Sequence, residues 1–186
     1  VDLPMPALSA PVQLRNAATA IAALRALDIL MTREAIAEGI RSAHVPGRLQ
    51  RFERDGVEIL VDVGHNPQAA RALAEWLATA PATGRTFAIF AALGDKDVGG
   101  VVEAIAPRID AWLLAGLEDA GPRGTAVDAF AERLRDTPAA GGARHATVAQ
   151  ALQAAREAAR PGDRVLAFGS FFTVAAAITA LGSEAR

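Results

Sequence analysis

The sequence of 186 residues predicts an α/β protein with a mostly parallel sheet, helices on both faces of that sheet and one antiparallel edge strand. Two observations lead to this class. From residue 57 onward, short apolar runs alternate with helical patterns, which is typical of parallel strands joined by right-handed crossovers. Before that, Asp55-Gly56 separates two strand-like runs and is a favoured hairpin turn. A short helical segment is expected ahead of the sheet.

The first 45 residues are predicted to be helical after an irregular start. Residues 1–15 are rich in proline, which favours extended or irregular backbone. Residues 16–27 and 32–41 then have helical composition and spacing. Asn16 and Thr32 are the predicted N-caps of these two helices, because their side-chain oxygens can accept a backbone N–H.

The remaining elements build the sheet and its covering helices. Strands are predicted at residues 49–54, 57–63, 86–93, 111–115, 144–146 and 164–168. Helices are predicted at residues 69–80, 98–105, 125–134, 148–159 and 173–181, with Thr125 as a cap. Asn66-Pro67 is expected to open the first of these helices, since proline is favoured at the first helical position.

The composition argues against several classes of protein. The chain is 52% hydrophobic, enough for a full core, and its formal net charge of -2 argues against a nucleic-acid partner. The absence of cysteine excludes disulfides and thiolate metal sites. No apolar run approaches the roughly 18 residues of a membrane span, and the first residues lack the pattern of a signal peptide. We therefore expect a soluble cytoplasmic protein that binds neither nucleic acid nor membrane. We also expect it to be a monomer.

Polar side chains follow three of the predicted strands. Asp62, His65 and Asn66 end the second strand, Lys96 follows the third, and Ser170 follows the last. The carboxyl ends of parallel strands share one edge of a sheet, and ligands of open α/β sheets bind at that edge. Asp62, His65, Lys96 and Ser170 could therefore face one cleft. The stretch around Asp62 and His65 is the most favoured place for chemistry.

Each of these residues also has a structural interpretation. Asp62 could cap the following helix or accept two ribose hydroxyls. A lone histidine such as His65 is more often a structural hydrogen-bonding group than a catalyst. Asn66 could be an ordinary N-cap, Lys96 part of a solvated loop, and Ser170 a helix cap.

Arg48 and the absence of several known catalytic and nucleotide-binding motifs only partly limit the reactions that this chain could support. Arg48 follows Pro46-Gly47 at a turn into the sheet, where its guanidinium could clamp a phosphate or carboxylate or simply lie at the surface. The chain has no G-x-x-x-x-G-K-[ST] loop, no G-x-G-x-x-G after a strand and no G-x-S-x-G elbow. Asp62 and His65 could share a metal, but no third ligand stands out. The residues alone predict an anion- or nucleotide-binding α/β domain.

A family resemblance rests on six short strings. The chain resembles the dihydrofolate synthase/folylpolyglutamate synthase family of the Mur ligase superfamily in Asn16-Ala-Ala-Thr-Ala, Pro46-Gly-Arg48-Leu-Gln and Val61-Asp62-Val-Gly-His65-Asn66-Pro67. The same order continues through Leu93-Gly-Asp95-Lys96-Asp97, Gly121-Pro122-Arg123-Gly124 and Gly169-Ser170-Phe171-Phe172-Thr173-Val174-Ala175. The resemblance covers nearly the whole chain.

The resemblance implies a Rossmann-like C-terminal domain at residues 46–186. Residues 1–45 would be the helical tail of an ATPase domain, whose phosphate loop and magnesium ligands are not in this sequence. The implied enzyme uses ATP and Mg²⁺ and adds L-glutamate to dihydropteroate or to folates through an acyl phosphate. Without the ATPase domain, we expect no turnover by these residues alone.

The resemblance also implies roles for single residues. Asn16 would contact the adenine, Arg48 the ATP phosphates and Asp62 the ribose. His65 and Lys96 would be catalytic. The substrate-binding set near glutamate or folate would be His65, Asn66, Lys96 and Ser170. Two alternatives stay open, namely a stand-alone ligand-binding module without catalysis and a Mur-type ligase of cell-wall precursors.

Overall fold

The computed structural model describes residues 3–6, 12–27 and 29–183, and it begins with two helices, α1 (Val12–Ala26) and α2 (Arg33–Ser42). The strands are β1 (Gln50–Arg54), β2 (Val57–Asp62), β3 (Thr86–Phe90), β4 (Ala111–Ala115), β5 (Ala143–His145) and β6 (Arg164–Phe168). The helices of the sheet region are α3 (Pro67–Thr79), α4 (Val98–Ile105), α5 (Val127–Glu132), α6 (Val148–Ala158) and α7 (Phe171–Ser183). Short 3₁₀ turns lie at Ala106–Arg108 and Gly121–Arg123.

The sheet has the strand order β1-β2-β6-β3-β4-β5. Only β1 pairs antiparallel to its neighbour, and it lies at the edge of the sheet, which confirms the predicted class. β6 is the last strand in the chain but lies between β2 and β3. Phe168 therefore pairs with Asp62 on one side and with Phe90 on the other. The carboxyl ends of these three strands lie side by side.

Alternate residues of the central strands are buried on opposite faces of the sheet. On one face, Leu60, Phe90 and Phe168 pack with α3, α4 and α5. On the other face, Ile59 and Ile89 pack with α6 and α7. The two-residue period of a strand places its side chains alternately on the two faces, so both faces need a covering layer of helix. Helices on both faces are confirmed.

Two predicted caps are wrong. Asn16 lies inside α1, because the helix begins four residues earlier at Val12; residues 12–15 are therefore helical, not irregular. Of residues 1–11, only 3–6 are described, and they have no regular structure. Thr125 does not cap α5, whose N-cap is Ala126 without a side-chain bond. The carbonyl of Thr125 instead accepts a hydrogen bond from the N–H of Leu117 at 2.8 Å.

The other predicted helix starts agree with the structure to within a few residues. Thr32 caps α2 by accepting from the N–H of Ala35, and Asn66 caps α3 by accepting from the N–H of Ala69. Pro67 occupies the first turn of α3, as predicted. Strand β3 ends at Phe90, three residues earlier than predicted.

Candidate functional site

A cavity of about 340 Å³ lies beside the carboxyl end of β2. It is bordered by α1, the loop before β1 and the first turns of α3. The cavity brings together Asn16, Arg48, Asp62 and Asn66, which lie far apart in the sequence. Its other lining residues are Val12, Gln13, Arg15, Leu49, Gln68, Ala69, Arg71, Ala72, Leu73 and Glu75. The polar side chains include three arginines, which suit an anionic ligand.

Asp62 is fixed by two backbone donors. Its Oδ2 accepts from the N–H of Leu49 at 2.9 Å, and its Oδ1 accepts from the N–H of Gly64 at 2.7 Å. It does not cap α3, since Asn66 has that position. Burial raises the pKa of Asp62 above its ordinary value, while the two N–H groups and the charge of Arg48 act in the opposite direction. Each carboxylate oxygen keeps a lone pair for a further donor.

Arg48 is positioned by a tight turn at Gly47. Gly47 has φ of +72°, and its carbonyl accepts from the N–H of Val63 at 2.9 Å. A Cβ at Gly47 would lie 2.8 Å from Cγ1 of Val174 and 2.9 Å from Cγ1 of Val63. Only glycine fits both this backbone angle and this space. The half-buried Arg48 is thereby held at the mouth of the cavity beside Asp62.

Asn16 enters the cavity from α1. Its Nδ2 donates to Oε1 of Gln13 at 2.9 Å, one turn earlier on the same helix. Gln13, Arg15 and Arg71 were not identified from the sequence. Residues three apart on a helix are neighbours, so Gln13 could have been identified from its spacing to Asn16. This would have required a helix predicted to begin before Asn16.

The other predicted site residues lie outside this cavity. Nδ1 of His65 is 3.0 Å from the carbonyl oxygen of Val63. Nζ of Lys96 lies 3.1 Å from Oδ2 of Asp95, and the hydrogen bond from Lys96 lowers the pKa of Asp95. Arg133 holds the backbone of this loop by donating to the carbonyl of Lys96 at 2.6 Å. His65 and Lys96 therefore have local contacts on the rim of the sheet.

Ser170 is buried and takes part in a chain of hydroxyl groups. Oγ1 of Thr173 donates to the carbonyl of Ala91 at 2.7 Å. The hydroxyl of Ser170 must then be the donor in its 2.7 Å contact with Thr173 Oγ1, and it also accepts from the N–H of Thr173 at 3.0 Å. This arrangement ties the start of α7 to the end of β3. It leaves Ser170 one lone pair for a ligand.

The residues that line the cavity and the predicted site residues outside it lie along the same edge of the sheet. The cavity lies at the end of β2, Ser170 follows the adjacent β6, and the Lys96 loop follows β3 beyond it. A cavity of about 380 Å³ at the opposite edge is lined by Arg51, Glu58 and Arg164 among others. There Glu58 contacts both arginines, so these charges pair with one another.

Residues 3–6, 12–27 and 29–183 contain no group of three or more His, Asp or Glu side chains able to hold a metal ion. None of the helices that these residues form is long and apolar enough to cross a membrane.

Known proteins similar to this chain include several folylpolyglutamate synthases. The family described as Mur ligase, glutamate ligase domain, matches residues 47–171. The curated dihydrofolate synthase/folylpolyglutamate synthase of Escherichia coli (strain K12) is 40% identical over 174 residues, which are 94% of this chain and 38% of the relative.

Solved structures agree with this match. A bifunctional folylpolyglutamate synthase/dihydrofolate synthase with Mn, AMPPNP and L-glutamate bound is 36% identical, with a TM-score of 0.84 over 98% of this chain and 42% of that chain. E. coli FolC in complex with DHPP and ADP is 37% identical, with a TM-score of 0.83 over 99% of this chain and 42% of that chain. The chain thus spans about two fifths of the length of these relatives.

Proposed function

The chain belongs to the family of Mur ligase glutamate ligase domains, and from this premise we propose that it is the C-terminal portion of an ATP-dependent amide ligase. The ligase adds L-glutamate to dihydropteroate or to folates. The similarity of this chain to dihydrofolate synthase/folylpolyglutamate synthases, together with bound L-glutamate in one related structure, favours these substrates over a cell-wall precursor.

We propose that residues 46–186 form the C-terminal domain and that residues 1–45 are the tail of an ATPase domain in the same polypeptide. The distribution of apolar surface supports this division. In the described part of the chain, seven of the nine exposed large hydrophobic side chains fall within residues 1–45. These are Met5, Leu14, Leu27, Ile29, Leu30, Met31 and Val45. Such a surface is typical of a segment that packs against another domain.

One observation carries the nucleotide part of the proposal: Asn16, Arg48 and Asp62 line a single cavity. The Arg48 guanidinium can bind phosphate oxygens, and the free lone pairs of Asp62 can accept from ribose hydroxyls. The Asn16 amide can hydrogen-bond the edge of a base. The three groups thus match the three parts of ATP, and their positions follow from the sheet, the Gly47 turn and α1.

The proposed reaction requires that the substrates be held in position and that the negative charge of the phosphate groups be compensated. The substrate carboxylate takes the γ-phosphoryl group of ATP, giving an acyl phosphate and ADP. The amine of glutamate then attacks the acyl carbon, an amide bond forms, phosphate leaves and one proton is released. His65 would accept that proton, Lys96 and Arg48 would stabilise negative charge, and Asn66 and Ser170 would contact the amino acid or folate.

We further propose that Mg²⁺ is held by the ATPase domain. The described residues of this chain contain no group of three or more His, Asp or Glu side chains that could hold a metal ion. A bound Mg²⁺ would neutralise phosphate charge during transfer. We expect the complete protein to act as a monomer in the cytoplasm.

A fusion protein tests the function. Residues 1–186 replace the matching C-terminal portion of the E. coli relative, which supplies the ATPase domain. We expect glutamate-dependent ADP formation with dihydropteroate or a folate from the fusion and none from the 186-residue chain alone. In the fusion, Asp62→Ala and Arg48→Ala should raise the KM for ATP, whereas His65→Ala and Lys96→Ala should mainly lower kcat or raise the KM for glutamate.

A second measurement distinguishes a fusion that is inactive because of its junction from a failure of the proposed function. ATP added to the isolated, isotopically labelled chain should shift the amide resonances around Asn16, Arg48 and Asp62. Shifts without turnover in any fusion would favour the stand-alone binding module. The absence of both resonance shifts and turnover would exclude the proposed nucleotide site.

A further inference from the structure

The side chain of Gln13 is buried in a helix that is otherwise largely exposed. It is 8% exposed and is the one buried residue within the described α1. A glutamine amide is rarely buried unless its polar atoms are hydrogen-bonded. Its Oε1 accepts from Nδ2 of Asn16 at 2.9 Å, and both residues line the cavity with Arg48 and Asp62. The buried Gln13 therefore holds the side chain of the exposed Asn16, which lines the cavity.

The bond directs the nitrogen end of the Asn16 amide at Gln13. An asparagine amide has an acceptor oxygen and a donor NH₂ group of nearly the same shape. Because Nδ2 is directed at Gln13 and donates one of its two hydrogens to it, Oδ1 is available to accept from a donor in the cavity. An exposed acceptor pairs with the amino group of a base and opposes a carbonyl oxygen at the same place.

We infer that Gln13 is a positioning residue that selects a 6-amino purine over a 6-oxo purine by orienting the Asn16 amide. This inference rests on the proposed function, in which Asn16 contacts the base of the nucleotide. Gln13 itself does not touch the base. Its effect comes from the acceptor that it presents to Asn16, and any acceptor of similar length at position 13 should preserve the preference.

The test compares ATP with inosine triphosphate, which has a carbonyl oxygen in place of the amino group. In the active fusion, the ratio of kcat/KM for ATP to that for inosine triphosphate should favour ATP by at least about tenfold. Gln13→Met removes the acceptor, lets the Asn16 amide turn and should lower the ratio about tenfold. Gln13→Glu keeps an acceptor and should retain the ratio. Gln13→Lys presents a donor and should reverse the preference. Gln153→Met, on the exposed face of α6, is the matched control.

The outcomes separate this inference from the proposed function. A purely structural role for Gln13 would weaken both nucleotides equally in the Met and Glu variants, and that result would overturn the inference. An unchanged ratio in Gln13→Met would overturn it as well. Asn16→Ala tests the underlying site: an unchanged KM for ATP in that variant would contradict the proposed nucleotide contact. Should Asn16→Ala raise the KM while Gln13→Met leaves the ratio intact, the site stands and the role of Gln13 falls.

Discussion

Asp62 and Leu49 are joined across the start of the sheet by a 2.9 Å hydrogen bond from the backbone N–H of Leu49 to the Asp62 carboxylate. The other carboxylate oxygen accepts from Gly64. These bonds attach the loop before β1 to the end of β2, and that loop carries Arg48. The residue proposed to bind ribose therefore also positions the residue proposed to bind phosphate.

Replacing Asp62 by asparagine should destabilise the fold. Both oxygens accept from backbone N–H groups, so the amide NH₂ of Asp62→Asn must face one of these donors. We expect the free energy of unfolding in urea to fall by about 1–3 kcal/mol. Asp119→Asn, at an exposed position, should change it by less than about 0.5 kcal/mol. Equal stability of the two variants would show that these bonds do not hold the loop.

A methyl group at Gly47 should destabilise the fold, because the backbone angle φ is positive and neighbouring side chains fill the space that a Cβ would occupy. Gly47→Ala combines φ of +72° with contacts under 3.0 Å to Val63 and Val174, so we expect a loss of about 2–4 kcal/mol in unfolding free energy. Gly121 has the same φ of +72° and no atom within 4 Å of a Cβ. Gly121→Ala should therefore cost only about 1–2 kcal/mol. A Gly47 variant no less stable than the Gly121 variant would contradict the close packing.

The hydroxyl chain at the start of α7 predicts a difference between two Thr173 variants. Thr173→Val keeps the shape but leaves the carbonyl of Ala91 and the hydroxyl of Ser170 without their partner. Thermal or urea unfolding should reveal a loss of about 1–3 kcal/mol. Thr173→Ser keeps the hydroxyl and loses one buried methyl group, so it should cost only about 1 kcal/mol. The reverse order of stability would mean that packing, not hydrogen bonding, dominates at this position.

Arg133 should control the order of the Lys96 loop. Its guanidinium donates to the carbonyl groups of Lys96 and Leu93 at 2.6 and 3.4 Å. Arg133→Met should speed amide hydrogen exchange within residues 93–97 by about tenfold or more, since local opening loses these bonds. Arg135→Met, which removes only exposed ion pairs, should leave the exchange of this loop unchanged. Unaltered exchange in the Arg133 variant would show that the loop is held by other contacts.

Asp163 should make the fold sensitive to acid. The N–H groups of Arg160 and Arg85 bind its two oxygens and hold the pKa of Asp163 below its ordinary value of 3.8. The resulting stabilisation is present above pH 3.8 and is lost as the pH falls through the lowered pKa. Asp163→Asn should therefore be less stable at pH 7, by about 1–3 kcal/mol, and lose less stability on acidification. Parallel stability curves for variant and wild type between pH 2 and 7 would contradict this account.

Much of the sheet could be predicted because its strands are continuous apolar runs between polar breaks. The bounds of β4, β6 and α4 agree with the prediction. Caps were harder, because asparagine and threonine are compatible with a helix interior or a loop as well as with a cap. Asn16 lies within α1, where its side chain bonds to Gln13, and Thr125 lies in a loop, where its carbonyl accepts from the backbone N–H of Leu117.

The candidate site could be predicted only in part. The common edge of parallel strands explains why Asp62, Lys96 and Ser170 follow neighbouring strands. Nothing local in the sequence indicates that α1 borders the cavity beside Asp62, since that depends on how the helical segment packs on the sheet. The separation of Lys96 and Ser170 from this cavity also depends on partners distant in sequence, such as Arg133 and Ala91. The functional roles of all the predicted site residues stay predictions, namely those of Asn16, Arg48, Asp62, His65, Asn66, Lys96 and Ser170.

The position of β6 has a consequence for biosynthesis. Residues 164–168 leave the ribosome after the other five strands of the sheet, yet they separate β2 from β3 in the finished sheet. Until they emerge, the β1–β2 hairpin and the β3–β4–β5 group each expose an unpaired strand edge that can associate with other nascent chains. A chain that stops before residue 164 would therefore form two separate groups of strands that are prone to aggregation. A chain that stops within α7 would still contain all six strands of the sheet.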